Sequence, residues 1–385
     1  MIYLDHNATT PVAPEVLDAM EPFWRGHFAN PSGSSTLARP IKRAITQSRE
    51  ECAALLDCEP EELIFTSGGT ESLNTALHSV TVQQPHRRHL IIGSTEHEAV
   101  LGPAAWLERS QGYQITRLPV DADGLWSLTD LAAAIRPGET AAVCLMWANN
   151  ETGVLHPVPE AAALAAAHGI PFVTDAVQAA GKIPVSLRQT DVACGAFSGH
   201  KFHAPKGIGL LYVRRNTSFE PWLLGGAQEN RRRAGTENTA GIVGLGAAAR
   251  QATAALPQTA VPVAAQRDWF EQEVLRRIPL SYRNGHATRR VPNTTSLRFD
   301  GCQAEGLLLL LDQRGVCASA GSACTTGNLH PSHVLTAMGL DAAQARSTLR
   351  FSLSSATTRT ELETALSALE SSVAKFRSMA PLFSG

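Results

Sequence analysis

The segment Ser198-Gly199-His200-Lys201-Phe202-His203-Ala204-Pro205-Lys206-Gly207 sets a lysine among small and polar residues in a mostly apolar region. An amine in such a place can form a Schiff base, and burial lowers its pKa and frees it as a nucleophile and base. Lys206 is the rival amine, and a solvated turn lysine is the plainer reading of either. A second segment, Phe172 through Gln178, ends an apolar run on Asp175. A carboxylate there can hold a proton on a ring nitrogen. At ~3 Å and an effective dielectric of ~20 such a pair is worth on the order of 5 kcal/mol. Read alone, Asp175 is more simply a helix N-cap. In the third segment, Phe65-Thr66-Ser67-Gly68-Gly69-Thr70-Glu71-Ser72, a strand passes through a glycine turn into a helix. Backbone N–H groups at a helix N-terminus, helped by the Thr70 hydroxyl, can cradle a phosphate, although such turns also serve as ordinary connections. Finally, Cys324 lies in Ala320-Gly321-Ser322-Ala323-Cys324-Thr325-Thr326-Gly327-Asn328, whose small residues read as a loop. As a thiolate it would be a strong nucleophile; in isolation it reads as a loop cysteine without a role.

The elements that must position these groups follow from the apolar runs. Residues 62–66, 89–92, 141–147, 170–174 and 208–213 read as strands, and residues 72–80 as a helix. Strands apolar on both sides and separated by helices predict a parallel sheet covered on both faces, with ligands at the carboxyl ends of its strands. The candidate residues fall just after those runs. Beyond the glycine-rich stretch at 241–246 the pattern changes. A helix near Trp269 to Ile278 leads through Val291-Pro292-Asn293 to further strands and helices, and the last helix carries Leu362, Leu366, Leu369, Val373 and Phe376 on one face. Thr358 and Glu361 form a candidate capping box.

The 385 residues suffice for a large core and more than one domain. Hydrophobic residues make up 44% and charged residues 18%, and the net charge of -2 gives no basic surface for nucleic acid. The run Arg231-Arg232-Arg233 lacks a wider basic stripe and is assigned to solvent or a dimer contact. No apolar run is long enough to span a bilayer, and the first residues do not read as a signal peptide. Seven scattered cysteines without a CxxC pair point to reduced cytoplasmic thiols and to no structural zinc. Cys317, Cys52, Cys58, Cys144, Cys194 and Cys302 are expected to be structural.

Phosphate turn, strand-end aspartate and Ser-x-His-Lys, in this order, form the layout of a fold-type I pyridoxal-phosphate (PLP) enzyme. The chain resembles the cysteine desulfurases of the class V aminotransferase superfamily, in the NifS/IscS branch. The resemblance rests on residues 3–10, 66–72, 95–97, 147–153, 174–178, 198–207, 233–238, 320–327 and 349–353. It implies an α/β fold with a large domain (14–255) built on a mainly parallel seven-stranded sheet between helices. A smaller α+β domain (1–13 and 256–385) would carry the Cys324 loop.

The resemblance also implies roles. Lys201 would carry PLP, and His97 would stack on the ring and shuttle protons. Asn150 and Gln178 would contact the ring hydroxyl and Asp175 the ring nitrogen, with Asn150 also beside the substrate. Gly69, Thr70, Ser198 and His200 would sit at the phosphate, joined by Thr236 from the other subunit of a homodimer. Arg350 would hold the substrate carboxylate, a task suited to its planar fork; alone it reads as a surface strand arginine. Cys324 would take sulfur from L-cysteine as a persulfide and pass it to an iron–sulfur scaffold protein or another acceptor, in the nitrogenase-linked type for nitrogenase maturation. A selenocysteine lyase, another class V aminotransferase and a non-catalytic sulfur-binding protein are the alternatives. Gly69, His6 and Ala320 depart from the usual residues of the family. His330 and His333 stand past Cys324, but their spacing alone does not make a metal site.

Overall fold

The computed structural model describes residues 1–320 and 331–379; Cys324 and His330 therefore lie outside the described residues. The strands are β1 (Ile2–Tyr3), β2 (Leu63–Thr66), β3 (His89–Gly93), β4 (Gln114–Leu118), β5 (Thr140–Cys144), β6 (Phe172–Asp175), β7 (Val192–Ser198), β8 (Gly209–Val213), β9 (Ser281–Asn284), β10 (Thr294–Phe299), β11 (Val316–Cys317) and β12 (Thr348–Ser352). The helices are α1 (Pro14–Arg25), α2 (Ala38–Leu56), α3 (Gly69–Val82), α4 (Glu98–Gln111), α5 (Leu128–Ala134), α6 (Val158–Ala167), α7 (Thr239–Arg277), α8 (Ala304–Asp312), α9 (His333–Ala337), α10 (Ala342–Arg346) and α11 (Arg359–Met379).

Seven strands form the central sheet in the order β2-β8-β7-β6-β5-β3-β4. The β3–β4, β3–β5, β5–β6 and β6–β7 pairs are parallel, and β8 runs antiparallel to β2 and β7. This is the mainly parallel α/β sheet expected from the sequence. Strands β3, β5, β6 and β8 are buried at every position, which is why they read as continuous apolar runs. Successive side chains still face opposite ways. Phe65, Ile91, Val143, Phe197 and Leu210 join a core with α1, α2, α6 and α7, whereas Ile64, Ile92, Ala142, Ala196 and Leu211 join a second core under α3 and α4.

A third core gathers Leu4 with Phe270, Leu297, Phe299, Leu307, Phe351, Leu366 and Leu369. It is built on the antiparallel sheet β12-β10-β9, with α8, α11 and the end of α7. The parallel pair β1–β11 brings the N-terminus to this part of the molecule. The capping box at the start of α11 is present: Thr358 N donates to Glu361 Oε2 at 2.8 Å, and Glu361 N to Thr358 Oγ1 at 3.3 Å.

The helix expected near Trp269 is the last quarter of α7, which runs 39 residues through Pro257 and Pro262. Ile242 and Leu245 in its first half pack in the first core, Phe270 and Val274 in the third. The boundary at 255/256 thus falls inside one helix. The division into 14–255 and 1–13 with 256–385 stays a proposal, favoured by the separation of the cores.

Candidate active site

A cavity of about 310 Å³ opens at the carboxyl ends of the central strands. Gly69, Thr70, His97, Asn150, Asp175, Gln178, Ser198, His200, Lys201 and Arg350 all line it, together with Asn7 and Ala8. Thr236, expected at the site of a second copy, does not line this cavity: it is exposed and lines a separate hollow with Ser67, Gly207, Arg233 and Asn238. Lys206, the rival amine, is exposed and does not line the cavity.

Each wall is set by local chain geometry. β2 leads into Gly68, whose φ of +154° belongs to glycine, and then into α3. Among the described residues no side chain caps that helix, which leaves its first-turn N–H groups to an anion. β8 passes so close behind the turn that a Cβ at Gly209 would come within 2.6 Å of Gly68 Cα. At the end of β6, Asp175 is only 7% exposed and its Oδ1 accepts from Val177 N at 3.0 Å. Burial raises the Asp175 pKa, against the pull of His97 and Lys201. The N-cap reading fails, because turns rather than a helix follow it.

His97 N-caps α4, its Nδ1 accepting from Ala99 N at 3.0 Å, so the neutral ring carries its proton on Nε2. Between β5 and α6, Asn149 Oδ1 accepts from Glu151 N and Thr152 N at 2.9 Å, closing a turn that presents Asn150. Lys201 ends a short 3₁₀ turn after β7, and its Nζ donates to Asn7 O at 2.6 Å and Ala8 O at 2.8 Å. Beside it, burial and the neighbouring lysines push His200 down to about 4. Arg350, 2% exposed on β12, pairs with Asp5 at 2.5 Å and donates to Asn150 O at 2.9 Å. It is therefore no surface arginine.

The described ends of the segment holding Cys324 are both tied to this wall. Ser319 exchanges backbone bonds with Arg350 at 3.1 and 2.6 Å. Ser332 donates to Glu151 Oε2 at 2.6 Å, and His333 Nε2 lies 2.9 Å from Glu96 O.

Three groups in or behind the site escaped the sequence reading. Asn7 connects the N-terminal segment to both lysines and to Thr294. Lys182 is buried and bonds Asn7 and Gln178. Glu96 is fully enclosed, accepts from Met146 N at 2.8 Å, and is held well above the usual carboxylate range by burial. A Gln-x-x-x-Lys spacing, which puts Gln178 and Lys182 one turn apart, was the available signal for the second. Two members of the arginine run, assigned from the sequence to solvent or a dimer contact, are tied within the chain instead: Arg233 pairs with Glu71 at 2.9 Å and Arg232 donates to Leu63 O at 3.2 Å, while Arg231 is exposed.

A lysine, an enclosed aspartate and an uncapped helix start at the strand ends define the kind of site that aminotransferase-like folds build. The aminotransferase class-V profile matches residues 2–364, and the chain belongs to that family. It is 44% identical over 381 residues to a cysteine desulfurase of Trichormus azollae, covering 99% of this chain and 95% of that one. It is equally 44% identical over 385 residues to cysteine desulfurase NifS of Azotobacter vinelandii, covering 100% and 95%. A solved NifS-like protein superposes with a TM-score of 0.89 at 32% identity, covering 96% of this chain and 98% of its own. Among the described residues no helix is long and apolar enough to cross a membrane.

Proposed function

We propose that this chain is a cysteine desulfurase that converts L-cysteine to L-alanine and keeps the sulfur as a persulfide on Cys324. The observation that carries the reading is the convergence of Lys201, Asp175, His97 and Arg350 on one cavity at the strand ends. The donor set fits PLP. Asp175 is an enclosed carboxylate whose charge a protonated ring nitrogen would compensate, and the uncapped start of α3 suits a phosphate. Lys201, Asp175, His97, Asn150, Gln178, Gly69, Thr70, Ser198 and His200 would hold the cofactor, with Thr236 of a second copy. When bound, PLP supplies the electron sink for charge developing at the substrate Cα.

The chain's own groups do the rest. Arg350 fixes the substrate carboxylate beside Asn150. The Lys201 amine is placed to take the Cα proton and return one. His97, with its proton on Nε2, is a second group able to hold or yield a proton. The Cys324 thiolate attacks the substrate sulfur: an S–S bond forms, the C–S bond breaks with its electron pair left on Cβ, Cβ takes up a proton to become the methyl group, and alanine leaves. The described residues on either side of Cys324, Ser319 and Ser332, are bonded to the wall of the cavity, which fits a cysteine that acts there.

An iron–sulfur scaffold protein or similar acceptor would receive the persulfide, and nitrogenase maturation is the pathway that the likeness to NifS favours. The exposed Thr236, with the exposed Trp222 and Leu224 nearby in the chain, fits a face covered by a second copy in a homodimer. Free, buried Cys52, Cys58, Cys144, Cys194 and Cys302 fit the cytoplasm.

The test is release of alanine and sulfide from L-cysteine with a thiol reductant, comparing the natural chain with Lys201→Ala and Cys324→Ala. Both variants are expected to lose sulfide release, and only Lys201→Ala the covalent cofactor chromophore. A natural chain that binds PLP and leaves cysteine untouched overturns the reading. Persulfide formation in Cys324→Ala overturns the nucleophile.

A further inference from the structure

Lys182 is 8% exposed, and among the described residues its Nζ bonds no carboxylate. It donates instead to two side-chain amides: Asn7 Oδ1 at 2.9 Å and Gln178 Oε1 at a short distance. A buried amine with neutral partners is costly to keep charged. Burial, with Lys201 and Arg350 as like charges, holds it well below the usual lysine value. Its hydrogen bonds nevertheless decide how two amides of the site are oriented. Asn7 Oδ1 also accepts from Asn293 Nδ2 at 3.1 Å, which leaves Asn7 Nδ2 to donate to Thr294 Oγ1 at 2.8 Å and Asn150 O at 3.2 Å. With Oε1 of Gln178 occupied by Lys182, Gln178 Nε2 donates to Asn7 O at 3.0 Å. That same carbonyl accepts from Lys201 Nζ at 2.6 Å.

We propose that Lys182 is a positioning residue for Lys201: by fixing the amides of Asn7 and Gln178 it fixes the Asn7 carbonyl to which the Lys201 amine is aimed. Lys182 does not line the cavity that holds Asp175 and Arg350; it faces the crevice behind Lys201, alongside His6, His203 and Asn293. Its influence therefore passes through Asn7 and Gln178 and not through contact with a ligand. Without Lys182, Gln178 Oε1 loses its donor and the amide is free to flip. The flip sets two carbonyl oxygens against each other and loosens the Asn7 carbonyl from its place.

The proposal rests on the reading of Lys201 as the reacting amine, and its test separates the two. Lys182→Met keeps the length of the side chain and removes the donor; Lys182→Arg keeps a donor, and Lys182→Leu, which also lacks one, serves if the methionine variant fails to fold. In the cofactor-free protein, the labelling rate of Lys201 by a dilute amine reagent is read by peptide mass spectrometry against exposed Lys375 as internal standard. The methionine variant is expected to change that ratio roughly tenfold, as loss of hydrogen bonds to an amine of this kind does, with Lys182→Arg restoring part of it. With L-cysteine, kcat is expected to fall while KM stays near its natural value. An unchanged Lys201 labelling ratio in a folded variant overturns the proposal, whether or not activity falls. If the natural chain ignores cysteine while the labelling ratio still moves, the function reading fails and the coupling stands.

Discussion

Asp175 shows how a single residue can serve activity and stability with opposite signs. Enclosed in the cavity wall, its carboxylate accepts from Val177 N, and burial raises its pKa. The folded state therefore favours the protonated acid, so stability present below the ordinary carboxylate pKa is lost as pH rises through the raised value. Asp175→Asn keeps the shape and removes the charge. Thermal melting of the cofactor-free variant is expected to match or exceed the natural chain, with the margin wider at pH 8 than at pH 5. Alanine formation from L-cysteine is expected to fall by roughly a hundredfold or more, the size of loss seen when one preorganised electrostatic partner is removed. Parallel loss of both would make Asp175 merely structural. The residue types of this site were legible because the sheet places them directly after apolar runs. Asn7 and Lys182 were not, because their importance lies in bonds between segments far apart in the chain.

At the scale of the element, the strand–turn–helix unit β2–α3 depends on its neighbour β8. A Cβ at Gly209 would lie 2.6 Å from both Gly68 Cα and Phe197 O, main-chain atoms that a side-chain rotation cannot move. Gly209→Ala is expected to destabilise the fold by about 1–3 kcal/mol in denaturant unfolding, as overpacking does, and to weaken PLP retention on dilution more than it weakens the fold. At Gly69 the obstacle is a methyl, Val177 Cγ2, also at 2.6 Å, and a side chain has more room to adjust. Unchanged PLP retention in Gly209→Ala would separate the turn from the phosphate. Of the seven strands of the central sheet the sequence revealed five and concealed two. Gln114–Leu118 is an edge strand with exposed positions, and Val192–Ser198 is built largely of small residues. The length of α7 was hidden for a different reason. Proline removes an N–H and ordinarily ends a helix, yet around Pro257 and Pro262 the helix is largely exposed, where water can satisfy the carbonyls left over.

For the whole molecule, buried titratable groups set how stability follows pH. His156 is buried, stacked on Trp126 at 5.3 Å and 14°, and among the described residues neither ring nitrogen has a hydrogen-bond partner. Burial pushes it down to about 3. His6 is likewise held at about 4, by burial and by His203 and Lys182. These imidazoles stay neutral in the folded chain and gain protons readily when it unfolds. Between about pH 6.5 and pH 3 to 4 the unfolded state thus binds more protons, and stability is lost as pH falls through that window. Glu96 and Asp175 act in the opposite sense, their raised values lending stability that fades as pH rises. The histidine contribution is separable by mutation. His156→Phe keeps a flat ring against Trp126 and removes the proton-binding site. Its melting temperature is expected to fall less than that of the natural chain between pH 7 and pH 5, the difference reaching on the order of 2 kcal/mol at pH 5 by linkage. Equal slopes for the two chains would show that His156 does not titrate on unfolding in this range, and would shift the acid sensitivity to the imidazoles around Lys201.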